Sequence, residues 1–408
     1  MRILYISPFW PRESAVSSAG FRRGGSQVRS LSVLQALQQM GSVDIVALDD
    51  EGTNGRVLSD PGCQSEVAYT LDVKPCPKRH LVERLRWTLS SKSSYPSGCH
   101  VGSQGVRRVL DSIKEYDLVW FFKLRSPDVF PNAVWSGSVL DIDDLPSTFQ
   151  RVRMQVAGTL QERLRALGKW FRWRRREKLL GDRFTLLTVC SEEDQQYLRH
   201  MGLTAPIHVI PNGFERPTGE PNRAPATPPR VGFIGLFDHF ANRDGIHWFV
   251  NQCWPRIKRE IPNARLRLVG LGSDGPFKPF GPDVDGLGWL SDPAEEIKSW
   301  SVMVVPIRVG GGTRVKIAHG FSQKCPIVST AFGALGYGTV DGRDLYVADS
   351  AEAFSTACIK TIREPAQAAE MAERAWHLFL EKWTWDAIRP QVWAAAEDCL
   401  RRTSSGWR

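Results

Sequence analysis

The feature that most constrains this chain is an alternation of short apolar runs with longer amphipathic stretches, played out in two blocks. In the first block the apolar runs are Ile3–Ile6, Val43–Leu48, Leu118–Phe122, Ser138–Asp141, Thr185–Val189 and Ile207–Ile210. Helical patterns fall between them, over Ser26–Met40, Gln104–Glu115 and Glu192–His200. The second block repeats the scheme, with runs at Val231–Gly235, Leu266–Gly270, Val302–Pro306, Pro326–Ser329 and Leu345–Val347. Its helical patterns cover Asp244–Ile261, Arg314–Phe321, Ala351–Ile362 and Gln367–Lys382. Short runs that are apolar throughout fit strands buried on both faces, and strands separated by helices imply a parallel sheet.

Residues 216–229 separate the blocks. They carry Pro217, Pro221, Pro225, Pro228 and Pro229 and show no hydrophobic period, so they read as a linker. A chain of 408 residues also exceeds what one core usually serves. The expectation is an α/β protein of two Rossmann-like, doubly wound parallel-sheet domains, residues 1–215 and 230–383, followed by a terminal segment, 384–408. Ligands of such sheets bind outside the carboxyl ends of the strands, so the facing strand ends are expected to make one cleft.

The formal net charge of +9 suits nucleotide phosphates, nucleic acid or an anionic membrane surface, and equally a plain solvated surface. Eight cysteines include no C-x-x-C pair, which gives zinc and thiol-redox readings no support. Cys190 and Cys325 read as buried thiols, and a reducing, cytoplasmic setting is expected. The opening apolar run ends at Pro8, too soon for the core of a signal peptide, and no stretch approaches a membrane span.

Several motifs carry chemistry. The strand Val302–Pro306 runs into Gly310-Gly311-Gly312-Thr313 and then a helix bearing Arg314 and Lys316. Glycines let a backbone approach an anion, the N–H groups of a helix start point at it, and the cations add charge; a diphosphate is the fitting ligand. The plain alternative is a tight turn. Gly24-Gly25-Ser26 opens the first long helix and reads either as an anion contact, on the acceptor or the donor side, or as an ordinary cap. Asn242 and Arg243 stand at a helix start after the strand that ends at Gly235, with Arg243 a second phosphate candidate or a surface arginine. Gly270-Leu271-Gly272-Ser273-Asp274-Gly275 matches a dinucleotide fingerprint, but Pro276 and Pro279 replace the helix that fingerprint needs. It is read as a strand-end turn.

Asp141-Ile142-Asp143-Asp144 places two carboxylates on one face if extended. A polar contact to a sugar is preferred there over a metal, with a capping role for Asp144 as the alternative. Residues 151–178 contain ten Lys/Arg and two acids, with Trp170, Phe171 and Trp173 interleaved. Such a helix suits an anionic membrane surface, or else packs its apolar stripe on the sheet. Nothing else in the chain reads as a nucleic-acid module.

In this order the motifs resemble the retaining glycosyltransferases with two Rossmann-like domains (the GT-B fold), family 4, over nearly the whole chain. The most specific matches are Pro211-Asn212-Gly213 and the block Gly310-Gly311-Gly312-Thr313-Arg314-Val315-Lys316-Ile317. The resemblance implies a nucleotide-diphosphate sugar held by the second domain and a glycan or lipid-linked acceptor held by the first. It also implies retention at the anomeric carbon, no essential metal and no further cofactor. Gly310 through Thr313, Arg314 and Lys316 would take the donor phosphates, with Arg243 and Asn242 beside them, and Arg314, Lys316 and Asp143 would serve catalysis. Trp383-Thr384-Trp385 and the helix after it look like the family's final helix, which crosses back to the first domain.

The sequence departs from the family where two glutamates usually stand eight residues apart; these positions read Gly311 and His319. Asp143 stands where many members have a histidine, and Leu236 where they have an arginine. Histidine still hydrogen-bonds a ribose hydroxyl. The competing readings are another enzyme on the same fold, such as a nucleotide-sugar epimerase or a phosphorylase, and a non-catalytic binding or scaffold protein.

Overall fold

The computed structural model describes residues 1–9, 25–49, 68–75, 81–90, 99–101, 103–130, 135–275, 281–310 and 314–405. Of the residues singled out above, Gly24, Gly311, Gly312 and Thr313 lie outside this set. The chain divides into two compact units. Unit 1 is Met1–Pro211 with Ile388–Arg408, and unit 2 is Asn212–Ala387.

Unit 1 is built on an eight-stranded sheet. Its strands are β1 (Arg2–Ser7), β2 (Ser42–Asp49), β3 (Ala68–Pro75), β4 (Cys99–Val101), β5 (Leu118–Phe122), β6 (Ser138–Asp141), β7 (Leu186–Val189) and β8 (Ile207–Val209). The spatial order is β4-β3-β2-β1-β5-β6-β7-β8, parallel except for the antiparallel pair β3–β4 at one edge. Helices α1 (Gly25–Gln38), α2 (Leu81–Leu89), α3 (Ser103–Ser112), α4 (Pro146–Val156), α5 (Leu160–Lys178) and α6 (Glu192–His200) accompany it. Strands β5, β6 and β7 are buried at every residue, as a sheet covered on both faces requires. Their side chains join one core with Phe130, Trp135 and Phe184, and Phe121 meets these three rings edge-on.

Unit 2 has a six-stranded, wholly parallel sheet. Its strands are β9 (Arg230–Ile234), β10 (Arg265–Val269), β11 (Val284–Gly286), β12 (Val302–Val305), β13 (Ile327–Ser329) and β14 (Tyr346–Val347), in the order β11-β10-β9-β12-β13-β14. Its helices are α7 (Phe240–Trp248), α8 (Trp254–Glu260), α9 (Ala294–Lys298), α10 (Val315–Ser322), α11 (Ala331–Ala334), α12 (Ala351–Arg363) and α13 (Pro365–Lys382). A final helix, α14 (Trp385–Ser404), leads into the part of the chain that belongs to unit 1. It buries Ile388, Val392, Ala395, Ala396 and Cys399, one stripe at helical spacing, and Trp393 donates its indole N–H to the Ala36 carbonyl at 2.9 Å.

Both sheets reverse direction of winding once, between β1 and β5 in unit 1 and between β9 and β12 in unit 2. Such switch points open a crevice at the carboxyl ends of the strands. They therefore fix where a ligand can enter each unit.

Three local features depart from the sequence reading. The helix expected over residues 244–261 is three pieces, α7, a π-helical turn Phe249–Cys253, and α8 starting before Pro255. Proline has no N–H to donate, and it is tolerated in the first turn of α8. The basic stretch 151–178 is two helices, separated at Ala157–Thr159, with the Thr159 hydroxyl accepting from the Glu162 N–H to cap α5. The segment read as a linker between the units is bonded to unit 2. Arg223 donates to the Trp300 carbonyl, the Ala226 N–H to the Ser299 carbonyl at 2.9 Å, and Glu220 pairs with Lys324. Residues 271–275 of the glycine motif form a turn, and Pro276 and Pro279 lie outside the described residues.

Arg29 holds the strand ends of unit 1 together. Its guanidinium and the Asp141 carboxylate are fully buried and share bonds of 2.7, 3.1 and 3.2 Å, and Nη1 also donates to the Ile210 carbonyl at 2.7 Å. One side chain thus ties α1 to the ends of β6 and β8. Replacing Arg29 by Met leaves a buried carboxylate without its partner, which costs about 3–5 kcal/mol. Urea unfolding of Arg29→Met is expected to show that loss, and adding Asp141→Leu to recover a good part of it. A double variant no more stable than the single one would show that the pair is not what matters.

Candidate functional site

In unit 2 the switch point is lined by the loops that follow β9 and β12. The β9 loop is held by its neighbour after β10: the Gly235 N–H donates to the Val269 carbonyl at 3.0 Å and the Phe237 N–H to the Leu271 carbonyl at 2.9 Å. Gly270 makes this approach possible. Its φ is +125°, and a Cβ there would overlap the Gly235 carbonyl. Gly235 in turn leaves room for Asn242 in the first turn of α7, since a Cβ at 235 would lie 2.8 Å from the Asn242 amide nitrogen.

Asn242 is oriented by this packing. Its side-chain N–H donates to the Leu236 carbonyl at 2.8 Å, which leaves its oxygen to accept from the Lys316 ammonium at 2.6 Å. Lys316 reaches there from the first turn of α10, with its ammonium 4.5 Å from the centre of the Phe233 ring. Among the described residues no carboxylate pairs with it. Burial works against the charge, and Arg314 adds repulsion, so the Lys316 pKa falls to about 7.

Arg314 stands at the N-terminal boundary of α10. Its guanidinium stands 4.8 Å over the Phe332 ring, and its carbonyl accepts from the Tyr337 hydroxyl at 2.9 Å. Gly310 sits against it with φ +147°, and a Cβ there would come within 3.2 Å of the guanidinium. The sequence-selected Gly310, Arg314, Lys316 and Asn242 therefore converge at one helix start. Two cations, the positive end of the α10 dipole and an aromatic floor make a site whose charge suits an anion.

Arg243 lines a cavity of about 430 Å³ with Asp244, Trp248 and Arg308, where Arg308 pairs with Asp244 at 2.8 Å. His319 lies one turn beyond Lys316 on the same face of α10, stacked on Phe214 with ring centres 4.5 Å apart. Burial lowers its pKa to about 4, opposed by Asp292, so the ring is neutral near pH 7. The sequence pattern did not mark Phe214, Phe233 or Tyr337. Each is an aromatic residue among many, and only packing aims it at the loop.

In unit 1 the switch point gathers Ser26 at the start of α1, Lys123 after β5 and Asp143 after β6. The Ser26 hydroxyl donates to the Asp143 carboxylate at 2.7 Å, and Lys123 approaches the same oxygen at 3.5 Å. The Cys190 thiol donates to the Asp143 carbonyl at 2.7 Å. Burial pushes the Asp143 carboxyl up, but Lys123, Arg29 and the Ser26 bond outweigh it and hold it below the usual range. Lys123 and Asp143 both adopt left-handed backbone, with φ of 67° and 62°. Side chains with a Cβ occupy that region at a cost, and pairs of them cluster at functional sites. Gly25 is the first residue of α1.

Asp141 does not share a ligand face with Asp143, because Arg29 takes it up. Burial raises its pKa from the ordinary value, against the pull of Arg29. Among the described residues no cluster of three or more His, Cys, Asp or Glu stands ready for a metal. Lys123, a lone lysine after an apolar run, is the member of this group that the sequence pattern gave no reason to select.

Residues 228–364, wholly within unit 2, match the sequence model of the glycosyl transferases group 1. Sucrose-phosphate synthase from Thermosynechococcus elongatus superposes with a TM-score of 0.70 at 18% identity, covering 98% of this chain and 99% of that one. The structure of HepE from Anabaena in complex with UDP-glucose superposes with a TM-score of 0.61 at 14% identity, covering 97% and 99%. The fold is thus the two-domain, Rossmann-like GT-B architecture. An uncharacterized 44.6 kDa protein in the cps region of Klebsiella pneumoniae is 22% identical over 163 residues, which is 38% of this chain and 42% of that protein.

The Lys316 environment sets a pH signature. With a pKa of about 7 the free site loses its ammonium as pH rises, and a bound phosphate favours the charged form. Binding of a phosphate-bearing ligand at this site is therefore expected to take up a proton above pH 7 and to weaken with rising pH. Titration calorimetry in buffers of different ionisation enthalpy measures this directly. Lys316→Met is expected to abolish the uptake, and uptake that persists in that variant would assign the proton elsewhere.

Proposed function

We propose that the chain is a glycosyltransferase that moves a sugar from a nucleotide-diphosphate sugar to a glycan or glycolipid acceptor, with retention and without a metal, in polysaccharide or glycoconjugate assembly. The observation that carries this reading is the desolvated Lys316, held by Asn242 beside Arg314 at the start of α10 and paired with no carboxylate among the described residues. The group 1 match covers the same residues, and several of the solved structures of this fold were determined with UDP or UDP-glucose.

In this reading the bond between the anomeric carbon and the donor phosphate breaks, and negative charge grows on the departing diphosphate. Lys316, Arg314 and the N–H groups at the start of α10 stabilise that charge, a task otherwise given to a metal. His319, neutral and stacked on Phe214, offers one donor and one acceptor to the ribose in place of a glutamate. Ser26, Lys123 and Asp143 form the acceptor side. There Asp143 is an ionised anchor that fixes Lys123 and the Ser26 hydroxyl, with its own carboxylate largely enclosed. Polysaccharide assembly is suggested by the Klebsiella protein in the cps region.

The test starts from thermal stabilisation by a panel of nucleotide sugars without metal, followed by turnover of whichever donor binds, with and without a chelator. Removal of a preorganised charge-stabilising donor costs roughly 100- to 1,000-fold in kcat. Lys316→Met is expected to fall in that range while the protein stays folded, and turnover to survive the chelator. Binding of a donor without turnover on any acceptor would instead favour a binding protein on this fold.

A further inference from the structure

Unit 1 also carries a surface that this chemistry does not use. Along α5, Leu160, Leu164, Leu167 and Phe171 are between 45% and 72% exposed. Their spacing of four, three and four residues sets them in one stripe along the helix. Helix α2 packs beside α5 and exposes Val82, Leu85 and Leu89 to 55–60%. Seven of the eleven large apolar side chains that are exposed among the described residues thus lie on these two neighbouring helices. Scattered exposed apolar residues need no explanation, whereas a contiguous patch marks an interaction surface.

The stripe cannot turn inward. The opposite face of α5 buries Ala166, Arg176 and Glu177. Arg176 pairs with Asp128, and the Glu177 carboxylate accepts from the Ser147 N–H at 2.9 Å at the start of α4. Rolling the helix to hide its leucines would break both contacts and leave buried charge behind.

Charge selects the occupant. Arg163, Arg165, Lys169, Arg174, Arg175 and Lys178 are exposed on α5, against the single exposed acid Glu162. At 100° per residue, Arg163 and Arg174 flank the stripe on one side and Arg175 on the other. A second copy of this face would set cations against cations. Apolar side chains bordered on both sides by long cationic ones fit a lipid surface, where the stripe enters the acyl boundary and the cations reach headgroup phosphates.

We propose that α2 and α5 form a docking face for an anionic lipid bilayer, along which unit 1 lies without inserting a span. Among the described residues no helix is long and apolar enough to cross a membrane, so attachment here is peripheral.

Flotation of the full chain with vesicles of phosphatidylcholine alone, or mixed with phosphatidylglycerol, tests this. The wild type is expected to float with the mixed vesicles, to be released by salt, and to stay behind with the neutral ones. Leu164→Glu/Phe171→Glu is expected to reduce the bound fraction about ten-fold or more. Arg174→Gln/Arg175→Gln is expected to weaken binding at low salt without touching the stripe. Both pairs are exposed, so melting temperature and nucleotide-sugar binding by unit 2 should not move, which keeps this inference separable from the transferase reading. A wild type that ignores anionic vesicles, or a stripe variant that floats equally well, overturns the proposal. So does self-association in sedimentation that only the stripe variants lose, which would make the face a protein interface.

Discussion

A parallel sheet buried on both faces forces every connection between its strands to cross the sheet as a helix or long loop. All the loops that follow the strands then emerge along one edge, and the winding reversal opens a gap in that edge. The chemistry-bearing residues of both units sit in loops of this kind. Ser26, Lys123 and Asp143 stand where β1, β5 and β6 end, and Asn242, Gly310, Arg314 and Lys316 where β9 and β12 end.

The two gaps are furnished differently. Unit 1 fills its strand ends with a satisfied polar network, in which Arg29 neutralises Asp141 and Lys123 faces Asp143. That network stabilises two residues in left-handed backbone, and it orders side chains rather than leaving charge unmet. Unit 2 does the reverse. It sets Arg314 and Lys316 at the start of α10 and, among the described residues, meets the Lys316 ammonium with an amide oxygen and the face of a ring. A half-buried cation with so little compensation has a lowered pKa, and a phosphate bound beside it would raise it again.

Much of the fold was legible in the sequence. Most strand candidates fall within a residue of their positions in the structure, because runs apolar on both faces admit few alternatives. The strands at the edges were less legible. Strands β4 and β11 are three residues long, and β3 mixes polar residues with apolar ones (Ala-Tyr-Thr-Leu-Asp-Val-Lys-Pro), so no continuous apolar run announces them. The Pro-rich segment was read correctly as lacking its own secondary structure, but its bonds to Trp300 and Ser299 depend on a surface that only the folded unit supplies.

The site shows the same division. The glycines, Arg314 and Lys316 could be selected from the chain alone, because a strand, a glycine loop and a cationic helix start follow one another directly. Asn242 and Arg243 were both placed at a helix start; the structure turns the Asn242 amide to Leu236 and Lys316, while Arg243 lines a cavity with Arg308. Adjacent residues on a helix point about 100° apart, so a window of two or three positions cannot say which one faces the ligand. The sequence by itself determined two α/β units and the cationic loop, since both rest on patterns local to a few dozen residues. Only the tertiary structure decided that Asp141 belongs to Arg29, that Lys123 joins Asp143, and that His319 leans on Phe214. Those pairs stand 112, 20 and 105 positions apart in the chain, and nothing in local order specifies which distant side chain packing will bring alongside.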